Sequence, residues 1–89
     1  MKIELFTVKD VKAGRFTGVV MFPNRQVALR AFATAVNDTS SQSLLFQYPE
    51  DAQIFCVGTF DDESGELVQT SEFVCNALDL VKKETAENV

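Results

Sequence analysis

Residues 53–60 carry apolar side chains on both sides of an extended chain, and this limits the fold more than any other stretch. With simple alternation, Ile54, Cys56 and Phe60 fall on one side and Phe55 and Val57 on the other, which predicts a strand in the interior of a sheet. Asp62, Glu63, Ser64 and Gly65 follow as a type I turn ending in a left-handed glycine, so residues 66–69 return as its hairpin partner. Residues 1–8 read as another strand, with Ile3, Leu5 and Thr7 on one face and Lys2, Glu4 and Phe6 on the other. A polar turn over residues 9–14 leads to a β-rich run at 15–22, which completes a first hairpin.

Pro23 and Asn24 stop that strand, and the Asn24 side chain is suited to accept an orphan backbone N–H at a helix start. Ala28, Ala31, Phe32, Ala35 and Val36 then recur at helical spacing, predicting a helix over 25–36 closed by Asn37 in a left-handed conformation. Residues 38–52 are irregular, a long loop for so small a domain. Phe73, Val74, Ala77, Leu78 and Val81 predict a second helix over 72–83, its last turn carrying Lys82 and Lys83. The expected fold is therefore α+β: an antiparallel sheet of about four strands in ββαββα order, with one packed helix and a C-terminal helix. Residues 1–84 form one domain and 85–89 a frayed tail. Eight Phe and no Trp place aromatic packing at the centre of a core that buries about 60 to 65% of the unfolded surface. Apolar residues on both sides of the third strand exceed what one helix covers, so a homodimer is expected to hide the second face.

Charge divides along the chain. Residues 1–30 hold Lys2, Lys9, Lys12, Arg15, Arg25 and Arg30 against Glu4 and Asp10, whereas residues 31–80 hold nine acids and no base. If the first hairpin and helix pack together, Lys9, Lys12, Arg15, Arg25 and Arg30 share one rim that contacts phosphates, with Phe6, Phe16 or Phe22 as a stacking face for bases. An ordinary solubilising surface is the plainer alternative. A second candidate surface is acidic and aromatic: Phe46, Tyr48, Glu50 and Asp51, suited to a protein partner.

Other constellations fail on spacing. Asp61, Asp62, Glu63 and Glu66 cluster as calcium ligands would, but Gly65 at the sixth loop position puts Phe60 first and Ser71 where a bidentate Glu belongs. There is no His, and Cys56 and Cys75 alone do not make a zinc site, so they read as reduced core thiols. Glu50 and Asp51 lack a relay partner nearby, and the four Gly form no phosphate-binding pattern, so binding rather than catalysis is expected. No cofactor or metal is implied. No apolar run approaches the roughly 20 residues of a membrane span, and no secretory leader pattern is present. The Asn37, Asp38, Thr39 sequon accordingly carries no weight.

Read in order, Phe22, Pro23, Asn24 and Arg25, then Ala28, Arg30, Phe32, Val36, Asn37 and Asp38, then Tyr48, Pro49, Glu50, Asp51, Phe55, Gly58, Phe60, Asp61, Asp62 and Gly65 resemble the small nonstructural protein of the Microviridae, particularly the gokushovirus group of single-stranded DNA phages. The likeness covers about residues 1–80. It implies a non-capsid protein of the infected bacterial cytoplasm, an accessory to genome replication or to the switch toward single-stranded DNA synthesis, with no catalytic residues to carry over. Two functions are expected from it and from the residues: binding of single-stranded DNA or replication proteins by the basic rim, weakening steeply with salt, or engagement of a host or viral protein by the acidic, Phe-containing surface.

Overall fold

The computed structural model describes residues 1–82, which form a four-stranded antiparallel sheet carrying helices on one face. In chain order the elements are β1 (Lys2–Asp10), β2 (Arg15–Phe22), α1 (Arg25–Val36), α2 (Leu44–Gln47), β3 (Ala52–Asp61) and β4 (Leu67–Asn76), with 3₁₀ turns at Pro49–Asp51 and Ala77–Leu80. The strands lie in the order β2-β1-β3-β4, so β3 is interior, as its two apolar sides require. Both hairpin turns use glycine at positive φ, Gly14 at 68° and Gly65 at 79°, where a Cβ would be strained.

α1 starts as its sequence predicts. Asn24 is extended, and its Oδ1 accepts from the Val27 N–H at 2.9 Å. Ala28, Phe32 and Val36 then face the sheet and meet Phe6, Val8, Ile54 and Cys56, with Ala52 and Ala77 closing the core. Three rings form its centre: Phe6, Phe22 and Phe32 pack edge to face with centroids 5.7 to 6.3 Å apart.

Four expectations need correction. Asn37 is not left-handed, at φ −101°. It ends the helix through its side chain instead: Nδ2 donates to the carbonyls of Ala33 and Leu80, and Oδ1 accepts from the Lys82 N–H, tying the C-terminal segment to α1. Residues 38–52 are partly regular, since Ser43 caps α2 by accepting from the Phe46 N–H and Pro49 opens a 3₁₀ turn. The helix expected over 72–83 is absent among the described residues: β4 runs on to Asn76, where Phe73 pairs with Phe55 and Cys75 with Ile54. A return strand of only four residues would have left the edge of this half of β3 that faces away from β1 without backbone partners, and pairing with β4 supplies them. A helix-like spacing survives only in the Ala77–Leu80 turn.

The fourth correction concerns faces. β1 pairs Leu5 with Gly58 but Phe6 with Cys56, so Val57 is a bulged extra residue. The bulge reverses the alternation. Phe60, opposite Ile3, therefore lies on the side of Phe55 and away from Ile54. A second bulge at Val74 does the same in β4, and a third in β2 around residues 17–18 is held by the Thr7 hydroxyl, which donates to the Thr17 and Gly18 carbonyls at 3.1 and 3.0 Å.

Candidate functional site

The face of the sheet opposite α1 has no cover among the described residues. By register it presents Ile3, Leu5, Thr7 and Lys9 from β1, Phe16, Val19 and Met21 from β2, Phe55 and Phe60 from β3, and Leu67, Gln69 and Phe73 from β4. Five of these apolar side chains are about half exposed or more, from Phe73 at 49% to Leu67 at 63%. Contiguous apolar surface on this scale marks an interaction site.

Register shifts in the sheet set its chemistry. They bring Phe16, Phe55 and Phe73, from three different strands, into one row, with ring centroids 5.3 and 5.7 Å apart. Lys9, beside Phe16 in the pairing, holds its ammonium 5.7 Å from that ring's centroid, a cation–π contact. Next to the row is a shallow hollow of about 310 Å³, edged by Thr7, Thr17, Gln69, Thr70 and Ser71, all uncharged hydrogen-bonding groups. The half of the face nearer the second hairpin is aliphatic by contrast, with Ile3, Leu5, Met21 and Leu67 around Phe60. Every carboxylate within the strands, those of Glu4, Asp10, Asp61 and Glu72, falls on the helix side by register. An acidic chain thus keeps the strands of one face free of acid among the described residues.

The expected single basic rim does not form. Lys9, Lys12 and Phe16 do come together, because the β1–β2 turn joins them, whereas Arg15, opposite Asp10, falls by register on the helix side. Arg25 lies on the helix side, at the start of α1, where its guanidinium makes a bidentate pair with Glu72 of β4 at 3.0 and 2.7 Å. That pair holds the Glu72 carboxyl below its ordinary range and raises the Arg25 guanidinium further. Arg30 lines a separate groove outside α1 with Thr34, Asn37, Asp38 and Lys82. Phe6 is fully buried and Phe22 packs in the core, so of the three rings expected to stack on bases Phe16 alone is accessible, at 51%.

The acidic candidate surface adjoins the basic one. Tyr48 is half exposed and Glu50 exposed, while Phe46 and Asp51 are partly buried. The Asp51 carbonyl accepts from the Val11 N–H at 2.9 Å, which sets this acidic segment against the turn that carries Lys12. At the other end of the sheet the acidic hairpin tip is internally satisfied: Asp61 accepts from the backbone N–H groups of Glu63 and Ser64, which lower its carboxyl, and the Met1 ammonium pairs with Asp62 at 2.9 Å. Among the described residues no group of three or more His, Cys, Asp or Glu is placed to hold a metal, and both cysteines are free thiols. Among the described residues no helix is long and apolar enough to cross a membrane.

Sequence reasoning missed Phe55 and Phe73 as site residues. The signal was present in the two-residue spacing of Leu67, Gln69, Ser71 and Phe73, which a helical reading of 72–83 cut in half.

Fold and site together define a small α+β protein with a helix-backed sheet whose other face is open and largely apolar among the described residues. The chain belongs to the phage ORF5 protein family, whose model matches residues 3–80. It is similar to Protein ORF5 of Chlamydia phage 1, with 31% identity over 67 residues that cover 73% of this chain and 70% of that protein. No solved structure matches it. The chain is thus a gokushovirus-like small phage protein of the Microviridae, as its sequence resemblance implied.

Proposed function

We propose that this accessory phage protein is non-enzymatic, works in the host bacterial cytoplasm in genome replication, and holds single-stranded DNA against the hairpin end of its open face. The observation that carries the reading is the row Phe16, Phe55 and Phe73 on a face whose described strands carry no acid, bounded by Lys9 and Lys12. Unpaired bases offer π-faces to such rings, each stacked base contributing about 1–3 kcal/mol by alanine substitution, whereas a duplex keeps its bases stacked on one another. The cations supply the phosphate contacts. With Arg15, Arg25 and Arg30 on the helix side, Lys9 and Lys12 remain, so the dependence of log K on log salt is shallow, with a slope of about −1.4.

Anisotropy of a labelled oligothymidylate, titrated at several salt concentrations, tests this. Phe55→Ala is expected to weaken binding at every salt concentration, and Lys9→Glu with Lys12→Glu to weaken it and flatten the salt slope. Equal affinity for a duplex of the same length, or none for either, rejects the reading.

The exposed Tyr48 beside Glu50 favours a second reading, a protein-interaction surface at Phe46, Tyr48, Glu50 and Asp51 for a host or viral replication protein. Charge reversal at Glu50 and Asp51 then abolishes protein capture without changing DNA affinity.

A further inference from the structure

We infer that, when no DNA is bound, a second copy of this chain covers the open face, so that self-association and DNA binding compete for one surface. This competition rests on the DNA reading above; the self-association does not. The aromatic row answers to DNA, but it occupies only half of the face. Met21 and Leu67, 60% and 63% exposed, and the half-buried Ile3 and Leu5 are aliphatic, and nothing in their chemistry recognises a base or a phosphate; the Phe60 ring among them is half-buried and remote from Lys9 and Lys12. They do match one another.

Charge favours a like partner. Two chains of net charge −5 repel, yet each keeps its strand carboxylates on the helix side, so pairing open face to open face sets no carboxylate of one strand against another. Lys9 is the face's one strand cation among the described residues, and it is already placed over Phe16.

Area decides how much of the face the second copy takes. Strands of eight to ten residues, at about 3.3 Å per residue and about 4.8 Å between strands, give a face of roughly 570 Å² in projection. A stable interface removes about 800 Å² of accessible surface per partner. The whole corrugated face approaches that area. The aliphatic half alone does not. A second copy must therefore extend over Phe16, Phe55 and Phe73, which is where it excludes DNA.

Sedimentation velocity of the full chain over a concentration series, with and without saturating oligothymidylate, tests this directly. A dimer that dissociates as the oligonucleotide binds, with apparent DNA affinity falling as protein concentration rises, is the expected result. Met21→Gln with Leu67→Gln, both at exposed positions, is expected to weaken the dimer at least tenfold and to tighten apparent DNA binding, because more chain is competent at the start. An unchanged circular-dichroism melt of that variant confirms its fold. A wild-type chain that is monomeric at every concentration overturns the inference and leaves the DNA reading intact. A dimer that stays intact on DNA overturns the competition. A dimer that the double substitution dissociates, with no DNA bound by either protein, supports the self-association surface and rejects the DNA reading.

Discussion

The two faces of this sheet each carry three phenylalanines packed edge to face, and they serve opposite ends. On the helix side Phe6, Phe22 and Phe32 close into a triangle, with Phe6 at 0% exposure. On the open side Phe16, Phe55 and Phe73 form an open row whose ends are about half exposed. Residue type does not separate the two sets. Cover does: α1 contributes the third ring of the triangle, burying Phe6 and Phe32 and leaving Phe22 partly buried, whereas the row draws its rings from three strands and leaves their outer surfaces free. Folding energy should therefore come mainly from the first set, and binding energy from the second.

The largest expected effect tests that division. Phe6→Ala removes a fully buried ring from between Phe22 and Phe32 and should cost about 3–5 kcal/mol, much of the stability a domain of this size has. Phe73→Ala, at an edge strand and 49% exposed, should cost under about 1 kcal/mol in urea denaturation while weakening oligothymidylate binding. Equal losses of stability from the two substitutions would break the comparison.

How far the faces could be foreseen turns on the bulges. The hairpin of β1 and β2, the Asn24 cap and the helix through Val36 are legible in sequence because each rests on local chemistry: a glycine at a turn, a side-chain acceptor, apolar spacing near 3.6. Which face Phe60 occupies is not local. It depends on Val57 being the extra residue against β1, a choice made by pairing between strands some 50 residues apart in sequence. Val74 poses the same problem in β4. With strict alternation Phe73 would share a face with Cys75; the bulge separates them and completes the aromatic row. The basic rim does not form for a different reason: the first hairpin and α1 do pack together, yet Arg15 falls opposite Asp10 on the helix side, β2 runs its full length between Arg15 and Arg25, and α1 then turns Arg25 toward Glu72.

The next prediction sharpens the account at the bulge. Gly58 is buried between Val57 and the aliphatic half of the open face, and a Cβ there would stand 2.5 Å from the Val68 carbonyl oxygen of β4. That oxygen belongs to backbone in a ladder and cannot swing aside. Gly58→Ala should therefore cost about 1–3 kcal/mol and move the β3–β4 pairing, seen as lost amide protection in β4 but not in β1 and β2. If protection falls equally in all four strands, the bulge does not act as the local device that sorts side chains between faces.

The smallest effect belongs to the Arg25–Glu72 pair, which straddles the helix side from α1 to β4. The Glu72 carboxyl, ordinarily near 4.5, is lowered by its hydrogen bonds to Arg25 and by that charge, so its contribution is fully present above the ordinary value and is lost as pH falls through the lower folded one. Both side chains are well exposed, at 39% and 53%, and salt screens them. Asp38 and Asp61 are also held low, by Ser40 and by the Glu63 N–H, and titrate in the same acidic window. The informative quantity is thus the difference in melting temperature between wild type and Glu72→Gln as a function of pH. It should be small and positive at neutral pH, vanish in acid, and shrink in high salt. The same substitution should leave oligothymidylate binding unchanged, because Glu72 and the aromatic row lie on opposite faces of the sheet; a change in DNA affinity from Glu72→Gln would mean that the faces are coupled and that their division of labour is incomplete.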